Sequence, residues 1–151
     1  MAYITAEARL ELLDVIGEAI QELGTALAAL GAAYEQLDER NADRLEEELF
    51  GPVQRAYGRA KRTYAGFAER HGLQGRSFDP AAAPASHDVR TLLESTVDSV
   101  VEADDILADL QDSMRPVEIG DAELRAGLAE VRELIGRLQL SAREFTRTLG
   151  R

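Results

Sequence analysis

The side chains best equipped for chemistry in this 151-residue chain are two histidines, His71 and His87, and a large set of carboxylates. An imidazole is nucleophilic and partly neutral near physiological pH, so it can accept a phosphoryl group or ligate a metal. His87 stands in "ASHDVRTLL", residues 85–93, beside Asp88 and ahead of Arg90 and Thr91. Further on, Asp98, Glu102, Asp105, Asp109 and Asp112 recur at spacings of four, three, four and three, which puts five carboxylates on one helix face. Such a face offers hard oxygen ligands to a divalent cation. It also lies opposite Leu93, Val100, Leu107 and Met114, where a charge run is simply solvated.

Ser86, His87, Asp88, Val89, Arg90 and Thr91 together resemble the H-box of sensor histidine kinases, with Leu92 where that family carries proline. The resemblance implies a phosphoacceptor at His87, an acid or base at Asp88 and a water-positioning role for Thr91. Ser-His-Asp after "PAAAPAS" reads equally as a helix start, with Ser86 as the cap and an acid in the first turn. Glu35-Gln-Leu-Asp38 and Glu102-Ala-Asp-Asp105 resemble the ExxD half of magnesium-dependent all-α nucleotide pyrophosphohydrolases. That family places an ExxE before the ExxD, whereas here Glu130-Val-Arg-Glu133 follows both. Glu94 to Asp98 resembles a metal-binding ExxxD of phosphate-signalling helical proteins. A di-iron helical site requires Glu-x-x-His, and neither histidine has a glutamate three residues before it.

Other charged residues need partners. Asp104 flanks the apolar seam between Val100 and Leu107, so it requires a cation if buried; Arg59 or Arg62 is the expected one. His71 and His87 would share a metal with Asp88 or Glu69 if the chain between them folds over one end. Arg55, Arg59 and Arg62 share one face of a helix, with Lys61 beside them. Interleaved aromatics would suit single-stranded nucleic acid, but Tyr57, Tyr64 and Phe67 keep core spacing. The arginines are expected to pair with acidic helices, in the chain or on a partner.

Four helices position these groups. Leu13, Ile16, Ile20, Leu23, Leu27, Leu30, Tyr34 and Leu37 alternate three and four apart, predicting a helix from about Thr5 to Glu39. Asn41 is the expected cap of the second, which runs to about His71 on Phe50, Val53, Tyr57, Ala60, Tyr64 and Phe67, kinked near Gly51-Pro52. The third carries Leu93, Thr96, Val100, Ala103, Leu107, Leu110 and Met114. "RPVEIGD" ends it, and Asp121 caps the fourth, built on Leu124, Leu128, Val131, Leu134, Ile135, Leu138 and Phe145. Short connections make neighbours antiparallel. The expected fold is all-α: an antiparallel four-helix bundle in one domain over 1–151, made of hairpins 5–71 and 87–150. A 15-residue linker, 72–86, joins them and is long enough either to cross the bundle end to end or to fold over one end, which leaves the topology open.

Charge follows the same division. Residues 5–39 hold eight acids and one base, as do residues 87–114, whereas 41–71 and 115–151 each carry one more base than acid. The net charge of −11 repels phosphate backbones and anionic lipid, so neither nucleic acid nor membrane is an expected partner. Sixteen arginines against the single Lys61 reflect compositional bias. The absence of cysteine excludes disulfides and thiolate sites. The N-terminus lacks a basic-then-apolar leader and no apolar run approaches the length of a bilayer, so the cytoplasm is the expected location.

Gly17, Gly24 and Gly31 recur every seven residues on one flank of the first seam, and Ala19, Ala26 and Ala33 on the other. A glycine costs roughly 1 kcal/mol against alanine inside a helix, so the stripe implies close packing. With Leu27 and Leu30 it forms the expected surface for self-association. These readings converge on a non-enzymatic interaction or adaptor protein without cofactor, whose partner is its own copy or another helical protein. A phosphotransfer domain using His87, Asp88, Arg90 and Thr91 and a metallohydrolase using Asp98, Glu102, Asp105 and Asp109 are the alternatives.

Overall fold

In the computed structural model, which describes residues 5–79 and 87–149, Thr5 opens the first helix by accepting the Ala8 amide at 3.1 Å. Helix α1 (Ala6–Gln36) carries the predicted seam inward: Leu13, Ile16, Ile20, Leu23 and Leu30 are buried. It ends earlier than expected, because Leu37 and Asp38 are extended. Asp38 rather than Asn41 is therefore the residue before α2 (Glu39–Leu45). Its Oδ1 accepts from the Asn41 side chain at 2.7 Å instead of from a backbone amide.

The expected kink takes a different form. Leu45, Phe50 and Gly51 all keep helical backbone angles, and between α2 and α3 (Gly51–Arg70) lies one π turn, Glu46–Phe50. Gly51 donates its amide to the Glu46 carbonyl five residues back. Pro52, which has no N–H and would crowd the carbonyl four residues before it, thus follows a widened turn rather than breaking the helix. Gly51 is the residue that fits there, since a Cβ would stand 3.1 Å from the Glu46 oxygen. Ala42, Leu45 and Leu49 up to this point and Val53, Ala56, Tyr57, Ala60, Thr63, Tyr64 and Phe67 beyond it are all buried, so the segment keeps one face on the core through the π turn.

Asp88 caps α4 (Val89–Asp112) by accepting the Thr91 amide at 2.8 Å; the expected cap Ser86 lies outside the described residues. Past Asp112, Met114 adopts a left-handed conformation with φ 63°, turning the chain into the short α5 (Arg115–Glu118). Gly120, at φ 73°, supplies a second left-handed turn that an L side chain would resist. Asp121 then caps α6 (Ala122–Leu149), as expected, with the Leu124 amide at 2.9 Å from its Oδ1.

Among the described residues every regular element is helical. Helix α1 packs on α3 and α4, and α6 packs on the same two, around a core in which Phe67, Phe145, Leu12 and Ile20 are fully enclosed. Polar ties fix the directions. At one end Gln36 donates to the His87 carbonyl at 2.7 Å and Arg44 to Thr148 Oγ1 at 3.3 Å. At the other, Arg70 and His71 meet Asp121, and Arg115 reaches Glu11 at 3.4 Å. Residues 72–79 leave that second end along α1 and α3. Arg76 N–H donates to Tyr64 Oη at 3.1 Å, Tyr57 Oη donates to the Phe78 carbonyl at 3.4 Å, and the Phe78 ring stands edge-on to Tyr64 with centroids 4.9 Å apart. Burial, and secondarily the charge of Asp79, raises the Tyr57 phenol above its ordinary pKa, so it stays a donor.

Candidate functional site

The most constrained polar cluster joins the end of α3 to the start of α6. Asp121 is buried, its side chain 6% exposed. Its Oδ1 accepts from Leu124 N and Arg70 Nη2, both at 2.9 Å; its Oδ2 accepts from Arg70 Nε at 3.0 Å and stands 2.9 Å from His71 Nε2. Burial pushes the Asp121 carboxyl up, but the Leu124 amide, His71 and Arg70 outweigh it and hold the pKa below the usual carboxylate range. The carboxylate is therefore a fixed anion serving as cap and ion-pair partner at once. Arg70 also reaches Glu123 at 2.7 Å.

His71 is thereby committed to Asp121, while His87 sits beside Gln36 at the opposite end. The expected shared metal site is corrected: helix directions keep the two imidazoles apart. His87 is exposed but lies in the extended segment before α4 rather than on a helix flank. Asp88, the acid or base of the phosphoacceptor reading, is occupied as the cap. Thr91, first through its amide and then its side chain, draws the Asp88 carboxyl below its ordinary pKa, which weakens it as a base. Arg90 lies 3.6 Å from Glu94 on the surface.

Asp98, Glu102, Asp105, Asp109 and Asp112 are all exposed along α4, and among the described residues no three His, Asp or Glu side chains gather to hold a metal ion. The alternative ligand set Asp98, Glu102, Asp105 and Asp109 thus lies along an exposed face. Asp104 does find a cation, but it is Arg132, at 2.9 Å from Oδ1, not Arg59 or Arg62. Helix α4 packs on α6, which carries Arg132, and Arg59 is engaged by Glu130 at 2.6 Å. Hydrogen bonding to Asp104 raises the already high Arg132 pKa further.

The small-residue stripe of α1 is covered by its own chain. A Cβ on Gly17 would lie 3.0 Å from Arg76 Nη2 and 3.5 Å from both Phe78 and Tyr64; on Gly24 it would meet Tyr57 at 3.6 Å, and on Gly31 Phe50 at 4.0 Å. Ala19, Ala26, Ala33 and Leu30 are buried, and Leu27 packs half-buried against the core. The close approach is as expected. Within the chain, α3, Phe50 and residues 76–78 approach the glycine flank.

Spacing within α3 holds a signal that the reading of the arginines by helix face alone missed. Gly51, Gly58 and Gly66 each precede an arginine by four residues: Arg55, Arg62 and Arg70. A helical side chain leans over the turn before it, and here each guanidinium lies back over its glycine. A Cβ would stand 3.6 Å from Arg55 Nη1, 3.6 Å from Arg62 Nη1 and 2.9 Å from Arg70 Nη1. Arg70 holds Asp121 and Glu123; Arg55 and Arg62 have no acceptor among the described residues and border a groove of about 480 Å³ between α3 and α6, with Glu130 and Leu134 on its far wall. Comparison with protein-family models, curated proteins and solved structures gives no match.

Proposed function

We propose that this chain is a non-enzymatic interaction or adaptor protein: one four-helix bundle over 1–151, made of hairpins 5–71 and 87–150 joined by a 15-residue linker, 72–86. It associates with its own copy or with another helical protein, and we place it in the cytoplasm; no described helix is long and apolar enough to cross a membrane. The observation that carries the reading is the division of the surface. Helices α1 and α4 pack together and belong to the two segments that hold eight acids against one base. Helix α3 exposes Arg55 and Arg62, which have no acceptor among the described residues. Unlike faces on one molecule favour docking in a defined orientation.

The interior groups best suited to chemistry support the same reading, because His71, Asp121 and Asp104 are each engaged across helix pairs. Light scattering after size exclusion, over a range of protein concentration and salt, tests the proposal. Mass rising with concentration is expected. A monomer under every condition removes self-association.

A further inference from the structure

Arg55 and Arg62 repeat a device whose outcome is visible elsewhere in the same helix. At Gly66-Arg70 the folded-back guanidinium is met by the carboxylates of Asp121, the cap of α6, and Glu123 in its first turn. At Gly51-Arg55 and Gly58-Arg62 the same arrangement of glycine and guanidinium opens onto the groove. An arginine already laid along its helix loses little rotamer freedom when a carboxylate arrives, and its planar fork suits one. The two are seven residues apart, two helical turns or about 10.5 Å.

A matching spacing occurs on the exposed side of α4. Asp98, Asp105 and Asp112 recur every seven residues, and Glu102 and Asp109 do so one turn over; all five are exposed. One copy cannot join the two surfaces itself, because α3 and α4 each pack on α1 and α6 and stand diagonally across the core.

Resting on the self-association read above, we infer that the acidic outer face of α4 in one copy docks into the α3–α6 groove of a second, its seven-spaced carboxylates meeting Arg55 and Arg62. Glu130, held by Arg59 on the groove wall, and the net charge of −11 disfavour a polyphosphate there and leave a helix of discrete carboxylates as the fitting occupant. Pairing of two α4 faces is opposed by like charge. The contact joins two different surfaces, so it is heterologous and each added copy presents a fresh groove or a fresh acidic face.

Two charge-reversed variants test this. Arg55→Glu with Arg62→Glu destroys the groove and leaves α4 intact; Asp98→Arg with Asp105→Arg does the reverse. All four positions are exposed, and circular dichroism confirms the fold of each. Sedimentation velocity at low salt should show wild-type assemblies that grow with concentration and dissociate as salt screens the contact, while each variant alone stays monomeric. Mixed in equal amounts the variants should assemble again, since the intact α4 face meets the intact groove and the two reversed surfaces complement each other. Wild-type assemblies that both variants reproduce, or a mixture that stays monomeric, overturn this interface while self-association stands. A wild type that is monomeric throughout overturns both.

Discussion

Arg70 and Asp121 face each other in a two-point ion pair, Nε to Oδ2 at 3.0 Å and Nη2 to Oδ1 at 2.9 Å, while the same carboxylate caps α6 through Leu124. One side chain thus closes a helix start and fastens it to a helix end. Asp121→Ala removes both roles and leaves Arg70 and His71 facing an empty position. A loss of roughly 2–3 kcal/mol is expected from urea unfolding. Asp121→Asn keeps a capping oxygen and should lose about half as much; equal losses in the two variants would mean that the cap contributes nothing.

Acid should act on the same pair. The Asp121 pKa is depressed in the folded chain, so its contribution is complete above the unfolded carboxylate value of about 3.9. It is lost as pH falls below that value and through the lowered folded pKa. The stability difference between wild type and Asp121→Asn, measured across that acid range, should shrink as pH drops. A difference that stays constant would assign the loss to shape rather than charge.

Two glycines of α6 should respond in opposite directions. Gly127 is buried, and a Cβ there would collide with the Thr63 side chain, a β-branched group stiff at χ1 and bonded to the Arg59 carbonyl at 3.0 Å. Gly127→Ala should cost about 1–3 kcal/mol despite the better helix former. Gly136 is exposed with nothing within 4 Å of a Cβ, so Gly136→Ala should gain about 0.5–1 kcal/mol. Thermal midpoints of the two variants read the contrast.

Phe78 fastens residues 72–79 to the helices through its edge-on contact with Tyr64 and the stacked Arg76 guanidinium, 4.7 Å from its ring centre. Phe78→Ala should cost about 1 kcal/mol and accelerate proteolytic cleavage within 72–79. Unchanged cleavage would show that the Arg76 and Tyr57 hydrogen bonds hold the segment without the ring.

Much of the helical layout was legible because apolar period and cap chemistry are local properties. The seam from Leu13 to Leu30, the cap at Asp121 and the disturbance near Pro52 each follow from residues within a few turns of one another. What was not legible depends on which helices touch. Asp104 required a cation, but choosing Arg132 over Arg59 needs the knowledge that α4 packs on α6. The glycines of α1 implied close approach without saying whether α3 or a second molecule would fill it. The arginine row was legible in principle as a four-residue spacing, but it was masked by the abundance of both residue types.

The widened turn at Glu46–Phe50 has a further consequence, for insertions and deletions. A π turn holds one residue more than the α turn it replaces, so removing one of Glu46, Glu47 or Glu48 would close it into a regular turn and leave Arg55 and Arg62 in phase with Leu45 and Leu49. Pro52 would then crowd the carbonyl four residues before it, at a cost of roughly 3 kcal/mol. Adding a residue would instead swing the two arginines by about 100° around the helix axis. Natural length variation at this point should therefore be asymmetric, with loss of one residue limited by the proline and gain of one limited by the phase.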